Sequence, residues 1–422
     1  MDVVGMIVEY NPFHNGHLWH VNEAKRISGA QYAIGIMSGN FLQRGEPAIV
    51  NKWARAALAV EAGVDLIIEL PTVFSVRSAQ YFATGGIQLL SRLGIVNHVC
   101  FGTETPDLPA LTVAAQAMND KAVIEAMRQT MKTGQTYASS LSSALSKESG
   151  VAESLMKTPN NLLAIEYLRA IHTYSPQLRP HVIQRIHANY HDNVITSNIA
   201  SATAIRAALL ENKPLIPGSA ACKCLPASCA NQLNTLISLG QAPIALESFN
   251  DILLSRLRSM KLDELAALPE VAEGLHNKIS DAAFKATTAQ ELITFIKSKR
   301  YTLTRLQRIV IYALLGITKS KLAQFDELGP LYARILAFND NGRKLVKEIS
   351  QQAAIPAITK TAQYLTSYQQ RHNKLTFLQD MLSYDITATD TYVLGSPSTQ
   401  WKMGGQDFQT SPIYIPDSSN SF

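Results

Sequence analysis

The sequence predicts a doubly wound, parallel α/β sheet followed by a mainly helical region with a small α/β appendage. Three observations predict it. Short Val- and Ile-rich runs alternate with helical stretches through the first half. Those runs are apolar at nearly every position, as in a parallel sheet covered on both faces. From about Ile244 to Phe325, by contrast, apolar residues recur every three or four positions, the period of helices packed along one face. In chain order, strands are expected at Asp2–Val8, Gln31–Met37, Leu66–Glu69, His98–Phe101 and Val182–His187. Helices are expected at Gly16–Ser28, Asn51–Ala62 and Ala79–Leu93. Pro109–Ile171 carries no strand pattern and reads as helices inserted before the last strand. The α/β domain is therefore placed at residues 1–215. A break follows at Pro214–Ser219 and Cys222–Cys229, rich in Pro, Gly and small residues. Residues 216–325 form the helical region, with Leu246, Phe249, Leu253, Leu257 and Met260 on one stripe and Leu303–Leu315 as a second strong helix. Residues 326–422 hold two short apolar runs, Tyr332–Phe338 and Ala354–Ile358, and a polar tail after Gly395 that reads as extended.

Composition narrows the functional classes. With 422 residues, 46% of them hydrophobic and 17% charged, the chain has material for packed cores and is not a disordered or collagen-like sequence. Apolar runs such as Ile309–Ile317 are too short to span a bilayer, so no membrane partner is expected. Met1-Asp2-Val3-Val4-Gly5 lacks the basic start of a signal peptide and reads as a strand. Four cysteines in a chain of this length are no disulfide framework, which predicts a reducing, cytoplasmic setting. Lys and Arg exceed Asp and Glu by 38 to 33, too small a surplus to decide on a nucleic-acid partner without its distribution.

The strongest chemical signal lies where the first strand ends. Glu9-Tyr10-Asn11-Pro12-Phe13-His14-Asn15-Gly16-His17 leads straight into a helix. A helix start offers unpaired N–H groups and partial positive charge, which suit a phosphate. Gly16 lets a ligand approach the backbone. His14 and His17, three residues apart, share one side of the first turn and can stabilise charge on phosphoryl oxygens during an in-line displacement. Further on, Ile199-Ala200-Ser201-Ala202-Thr203-Ala204-Ile205-Arg206 opens a second helix. Ser201 and Thr203 are placed to cap it, and Arg206 to fork onto phosphate oxygens.

Pro-Phe-His-x-Gly-His on a strand-to-helix turn resembles the HxGH signature of the nucleotidyltransferase superfamily, and the Arg206 segment resembles its second signature, with Ala202 where a second hydroxyl often stands. The resemblance implies a Rossmann-like fold and nucleotidyl transfer from a nucleoside triphosphate with Mg²⁺. Met6–His17, Met37–Pro47, Ile68-Glu69-Leu70-Pro71, Thr158–Leu163, Tyr190-His191-Asp192 and Lys299–Arg305 are similar to the tRNA(Met) cytidine acetate ligase family. That likeness runs from Met1 to about Leu394. It implies an enzyme that activates acetate with ATP as acetyl-adenylate and acetylates N4 of the wobble cytidine of elongator tRNA(Met), giving N4-acetylcytidine.

By the same resemblance, catalysis falls to His14, His17 and Arg206. ATP binding falls to Ile7, Val8, Glu9, Tyr10, Asn11, Pro12, Phe13, His14, Asn15, Gly16, His17, Leu18, Trp19 and His20, with Gly102, Asn161, Arg185, Ser201 and Thr203. Ser38, Asn40 and Arg44 form a further polar loop that can meet acetate or the nucleotide. In the helical half, Lys297, Lys299, Arg300, Arg305, Arg308, Lys319 and Lys321 face one acid, Glu291, with Tyr301 and Tyr312 between them. Such a patch can neutralise phosphates and stack on unpaired bases, and the resemblance makes it a tRNA surface that Arg334, Arg343, Lys344 and Lys347 extend. Cys222, Cys224 and Cys229 lack a fourth metal ligand at usual spacing and read as incidental thiols, so no protein-held metal is expected. His181, His187 and His191 read as local packing. From the residues themselves two alternatives stay open: a small-molecule adenylyltransferase, and a non-catalytic RNA-binding protein.

Overall fold

The computed structural model describes residues 1–135, 137–156, 158–185, 200–211 and 215–416. Among the described residues eight strands form one sheet: β1 (Val3–Val8), β2 (Tyr32–Ser38), β3 (Leu66–Leu70), β4 (His98–Thr103), β5 (Arg179–Gln184), β6 (Ala333–Phe338), β7 (Ala357–Ile358) and β8 (Ile413–Tyr414). Their order is β5-β4-β1-β2-β3-β6-β7, with β8 also on β6. The five N-terminal strands are mutually parallel. The helices α1 (Asn15–Ser28), α2 (Lys52–Glu61), α3 (Ala79–Arg92), α4 (Pro159–Tyr174), α5 (Ala202–Leu210) and α6 (Leu303–Leu315) frame them.

Side chains along the strands alternate between two buried layers. Val3, Ile34, Ile36, Leu66 and Ile68 enter one, while Val4, Met6, Ala33, Met37 and Ile67 enter the other. Both faces are dry, which is why the strands read as unbroken apolar runs. The first layer continues without interruption into the inserted helices Leu108–Ala117, Lys121–Lys132 and Tyr137–Ser149, and into the helices of the second half, including α6. The helical region thus shares its core with the sheet.

Three expectations need correction. β5 begins at Arg179, earlier than expected, because Pro180 argues against a strand in sequence yet is tolerated at a sheet edge, where β5 lies. Residues 186–199, including His187 and His191, lie outside the described residues. The segment 326–422 is not an appendage: β6 pairs antiparallel with β3, and β7 and β8 pair with β6, so these strands extend the N-terminal sheet. The stretch after Gly395 is not simply extended either. It holds the turn Thr399–Trp401, the short helix Gln406–Gln409 and β8, and its Asp407 is 1% exposed.

Strand order reverses at β1, whose neighbours are β2 on one side and β4 on the other. In open α/β sheets the crevice at such a point, beyond the carboxyl ends of the strands, is where ligands bind.

Candidate active site

A cleft of about 240 Å³ opens at that point. Ile7 and Val8 at the end of β1 and Gly102 at the end of β4 form its floor. Glu9, Tyr10, Asn11, His14, Gly16, His17, Trp19 and His20 come from the turn and α1, and Ala200, Ala202 and Arg206 from the start of α5. Gln43 and Arg44 come from the loop after β2, and Asn160, Leu163 and Tyr167 from α4. The two motifs, far apart in sequence, therefore meet.

The turn is held tightly. Tyr10 sits at φ +49° in the left-handed region, an uncommon and strained conformation for a bulky residue. His14 caps α1, its Nδ1 accepting from Gly16 N at 3.0 Å. An accepting Nδ1 in a neutral imidazole leaves the proton on Nε2, so the ring presents a donor. His14 and His17 stack at 3.7 Å between ring centroids, with Tyr10 and Phe13 against His17. The first-turn N–H groups, expected to face phosphate, are occupied: Asn15 N donates to Cys224 O at 2.9 Å, and His17 N to His14 O at 2.8 Å. An anion in this cleft would therefore meet side chains rather than the N–H groups that open α1.

Those side chains are prepared for them. Burial, then Arg185 and Arg206, lowers His14 to about 3. Burial and His14 push His17 well below its ordinary value, and burial with Arg185 lowers His20 to about 4. All three imidazoles are neutral at pH 7. Burial also lowers Arg44 and Arg185, the mark of cations held out of water. Arg206 is fixed by Asn11 O at 3.1 Å, Thr203 Oγ1 at 3.4 Å and the Glu46 carboxylate at 3.1 Å. Tyr10 Oη, Asn11 Nδ2 and His17 Nδ1 are buried and have no hydrogen-bond partner among the described residues. Three orphaned polar atoms on one cleft are rare in a native fold, and they fit a polar ligand.

A pH dependence follows. The folded chain keeps these imidazoles neutral, whereas the unfolded chain protonates them near pH 6.5, so the unfolded state binds more protons below that pH. Stability is expected to fall as pH drops from 7 to 5, each imidazole adding up to about 1.4 kcal/mol per pH unit. Urea midpoints across that range check it. His20→Gln should flatten the dependence, and a flat wild-type curve would refute it.

Other expected residues are placed differently. Asn161 is buried and spent on the turn after β4: its Oδ1 accepts from Glu104 N and Thr105 N, both at 3.1 Å. Its neighbour Asn160 lines the cleft instead, donating to Glu104 at 2.6 Å. Ser201 caps α5, accepting from Ala204 N, and Thr203 supports Arg206. Phe13 is core, and Asn15 donates to Lys223 O at 2.9 Å. Asn40 is turned inward, accepting from Lys52 N and donating to Thr389, and Ser38 is buried outside the cleft lining. Gly102 leaves room for Arg185, whose Cγ would lie 3.2 Å from a Cβ there. Sequence reasoning missed the apolar wall of Phe82, Phe101, Leu163 and Tyr167, and it missed Arg55. Arg55, fully buried, donates to the carbonyls of Glu9, Ser38 and Gly39 and so ties the ends of β1 and β2 together. Among the described residues no group of three or more His, Cys, Asp or Glu can hold a metal ion. Among the described residues the cleft lining contains one carboxylate, Glu9, which is no dedicated Mg²⁺ cage.

The basic patch is thinner than expected. Arg308 is buried and bidentate to Glu270 at 2.8 and 2.7 Å, Tyr312 donates to the same carboxylate, and Arg305 donates to Glu270 O. Lys319 donates to Ala266 O and Val271 O, Lys321 pairs with Asp380, and Arg334 is buried against Asp407 and Glu69. Glu270 lies outside the stretch whose charges were counted, and the fold carries it in. Lys297, Lys299 and Arg300 remain exposed, Arg300 beside Glu273.

Residues 1–407 match the family described as HIGH Nucleotidyl Transferase. A tRNA(Met) cytidine acetate ligase of Acetivibrio thermocellus is 38% identical over 98% of this chain and 100% of its own length. The chain belongs to the tRNA(Met) cytidine acetate ligase family. A second member of that family, from Alkaliphilus metalliredigens, is also 38% identical, over 98% of this chain and 99% of its own. Crystal structures of Thermotoga maritima TmcAL, without ligand and bound with alpha-thio ATP, are 30% identical and superpose with TM-scores of 0.92 and 0.90. Each covers 99% of this chain and 100% of the other. The family fold, a mostly parallel sheet of nucleotidyltransferase type, is the fold described above. Among the described residues no helix is long and apolar enough to cross a membrane.

Proposed function

We propose that this chain is an ATP-dependent, cytoplasmic ligase that joins acetate to AMP and then acetylates N4 of the wobble cytidine of elongator tRNA(Met). One observation carries the reading. Neutral, stacked imidazoles and orphaned polar atoms share a cleft with Arg44, Arg185 and Arg206 at the strand-order reversal. Family membership and the alpha-thio ATP bound by the Thermotoga protein support it.

In the first step an acetate oxygen attacks the α-phosphorus, and the bond to pyrophosphate breaks. Acetate is a poor acyl donor, and AMP gives it a good leaving group. His14 donates from Nε2 to phosphoryl oxygens while His17 and the arginines balance charge that spreads over them, an electrostatic role needing no covalent enzyme intermediate. Neutral imidazoles suit this because they donate hydrogen bonds without surrendering a proton. An ion carried by the triphosphate would keep mostly phosphate and water ligands and would offset charge on the leaving pyrophosphate. In the second step the cleft orients the cytidine amine toward the acetyl carbonyl. Lys297, Lys299 and Arg300 offer the tRNA backbone exposed cations. Mass spectrometry of tRNA nucleosides after incubation with ATP and acetate tests the proposal. N4-acetylcytidine is expected, and its absence would overturn the reading.

A further inference from the structure

Glu9 is the one carboxylate among the described residues that lines the cleft. Its surroundings are built for anions, so a carboxylate there opposes the binding of ATP and acetate unless it meets a donor. Its Oε1 accepts from Gln43 N at 2.8 Å, which fixes the side chain against the loop after β2. No hydrogen bond engages Oε2 among the described residues, and Glu9 is only partly buried. One oxygen is thus anchored while the other is left for a ligand.

We propose that Glu9 is the general base of the acetyl-transfer step, an inference that rests on the ligase reading above. As the cytidine amine attacks, an N–C bond forms and the C–O bond between acetyl and AMP breaks. AMP leaves with that electron pair as a phosphate, and the amine proton passes to Glu9 Oε2. The adenylate needs no proton to depart, so the chemistry demands a base and no matching acid.

The imidazoles are poorer choices. Gly16 N occupies His14 Nδ1, leaving a donor on the other nitrogen, and burial, with His14 beside His17 and Arg185 beside both, strips His17 and His20 of basicity. Desolvation does the opposite to Glu9, raising its proton affinity, while the Gln43 N–H lowers it. Arg44 lowers it from the same loop and Glu46 raises it, Arg206 lowers it from α5, and Tyr167 and Arg55 approach from α4 and α2. A carboxylate with raised proton affinity is the better base near neutral pH.

Glu9→Gln keeps an acceptor for Gln43 N and removes the base. Acetate-dependent ATP–pyrophosphate exchange reads the first step, and single-turnover acetylation of tRNA(Met) reads the second. We expect the loss in transfer to exceed the loss in exchange by at least about 100-fold, the lower end of the usual range for a general base. Wild-type transfer should rise with pH as Glu9 ionises, above the ordinary carboxylate range, and the variant should lose that rise. Hydroxylamine, a nucleophile that needs little help from a base, should be acetylated by the variant with no greater loss than exchange shows. Glu9→Asp should recover part of the transfer. Equal losses in both steps would place Glu9 in nucleotide or metal binding and overturn the proposal, as would unimpaired transfer. A wild-type chain with no acetate-dependent exchange would instead overturn the ligase reading, and the proposal with it.

Discussion

His17→Ala is expected to leave a folded protein whose acetate-dependent ATP–pyrophosphate exchange is lower by about 10²–10³-fold, the usual cost of removing one donor aimed at developing charge. The ring touches Tyr10, Phe13 and His14, and its Nδ1 has no hydrogen-bond partner among the described residues. Truncation therefore removes ring packing and at most a weak contact with the Pro12 backbone. Circular dichroism should be unchanged and the thermal midpoint lower by a few degrees at most. Because the contact strengthens as charge spreads onto phosphoryl oxygens, the fall should lie in kcat more than in the KM for ATP. Wild-type exchange in the folded variant would remove His17 from the chemistry.

His14, His17 and Arg206 were legible because a short motif constrains both residue type and local geometry. The turn, the helix start and the side chains arrive together. β1 to β4 were legible for a related reason: strands buried on both faces leave no polar face to blur the pattern. What escaped was non-local. Nothing in Ala333–Phe338 says that it pairs antiparallel with β3, and β7 and β8 pair over two residues each, too short to show a period. The shift from Asn161 to Asn160 is a rotation of one residue on the first turn of α4, beyond the reach of a motif. Arg308 read as a phosphate ligand because charge was counted along the chain, whereas Glu270 reaches it through space. Gly45 shows the same limit: at φ +80° it lies against the backbone of Gln307 and Arg308, where a Cβ would collide. The loop bearing Gln43 and Arg44 is thus seated on α6, a contact invisible in either segment.

The support of that loop leads to the largest stability effect. Lys52, at the start of α2, lies with its Nζ 2.8 and 2.9 Å from the Glu69 oxygens and 2.8 Å from Asp407 Oδ1. Arg334 on β6 pairs with Asp407 and stands 3.4 Å from Glu69. None of the four side chains is more than 4% exposed. Burial would raise the Asp407 pKa, but Arg334 and Lys52 outweigh it and hold the carboxyl below its usual range. Two cations and two anions thus pair in the core, the polar stretch after Gly395 supplying one of the anions, and a third buried carboxyl, Asp385, lies close enough that burial and Glu69 raise its pKa. Asp407→Ala leaves Lys52 and Arg334 sharing Glu69, a surplus of positive charge out of water that only ionisation of Asp385 can offset. Breaking a buried pair this way costs about 3–5 kcal/mol, and denaturant midpoints should record that loss. Lys52→Met added to Asp407→Leu should cost less than the two single changes summed, because the second change removes the charge that the first strands. A loss under about 1 kcal/mol for Asp407→Ala would mean that water or a shifted proton already neutralises the cluster. The effect should reach the cleft, since Lys52 N donates to Asn40 in the loop after β2 and Arg55 on the same helix grips Glu9 O. Exchange activity in Asp407→Ala should therefore fall at temperatures where the fold is still intact, recovering as temperature is lowered.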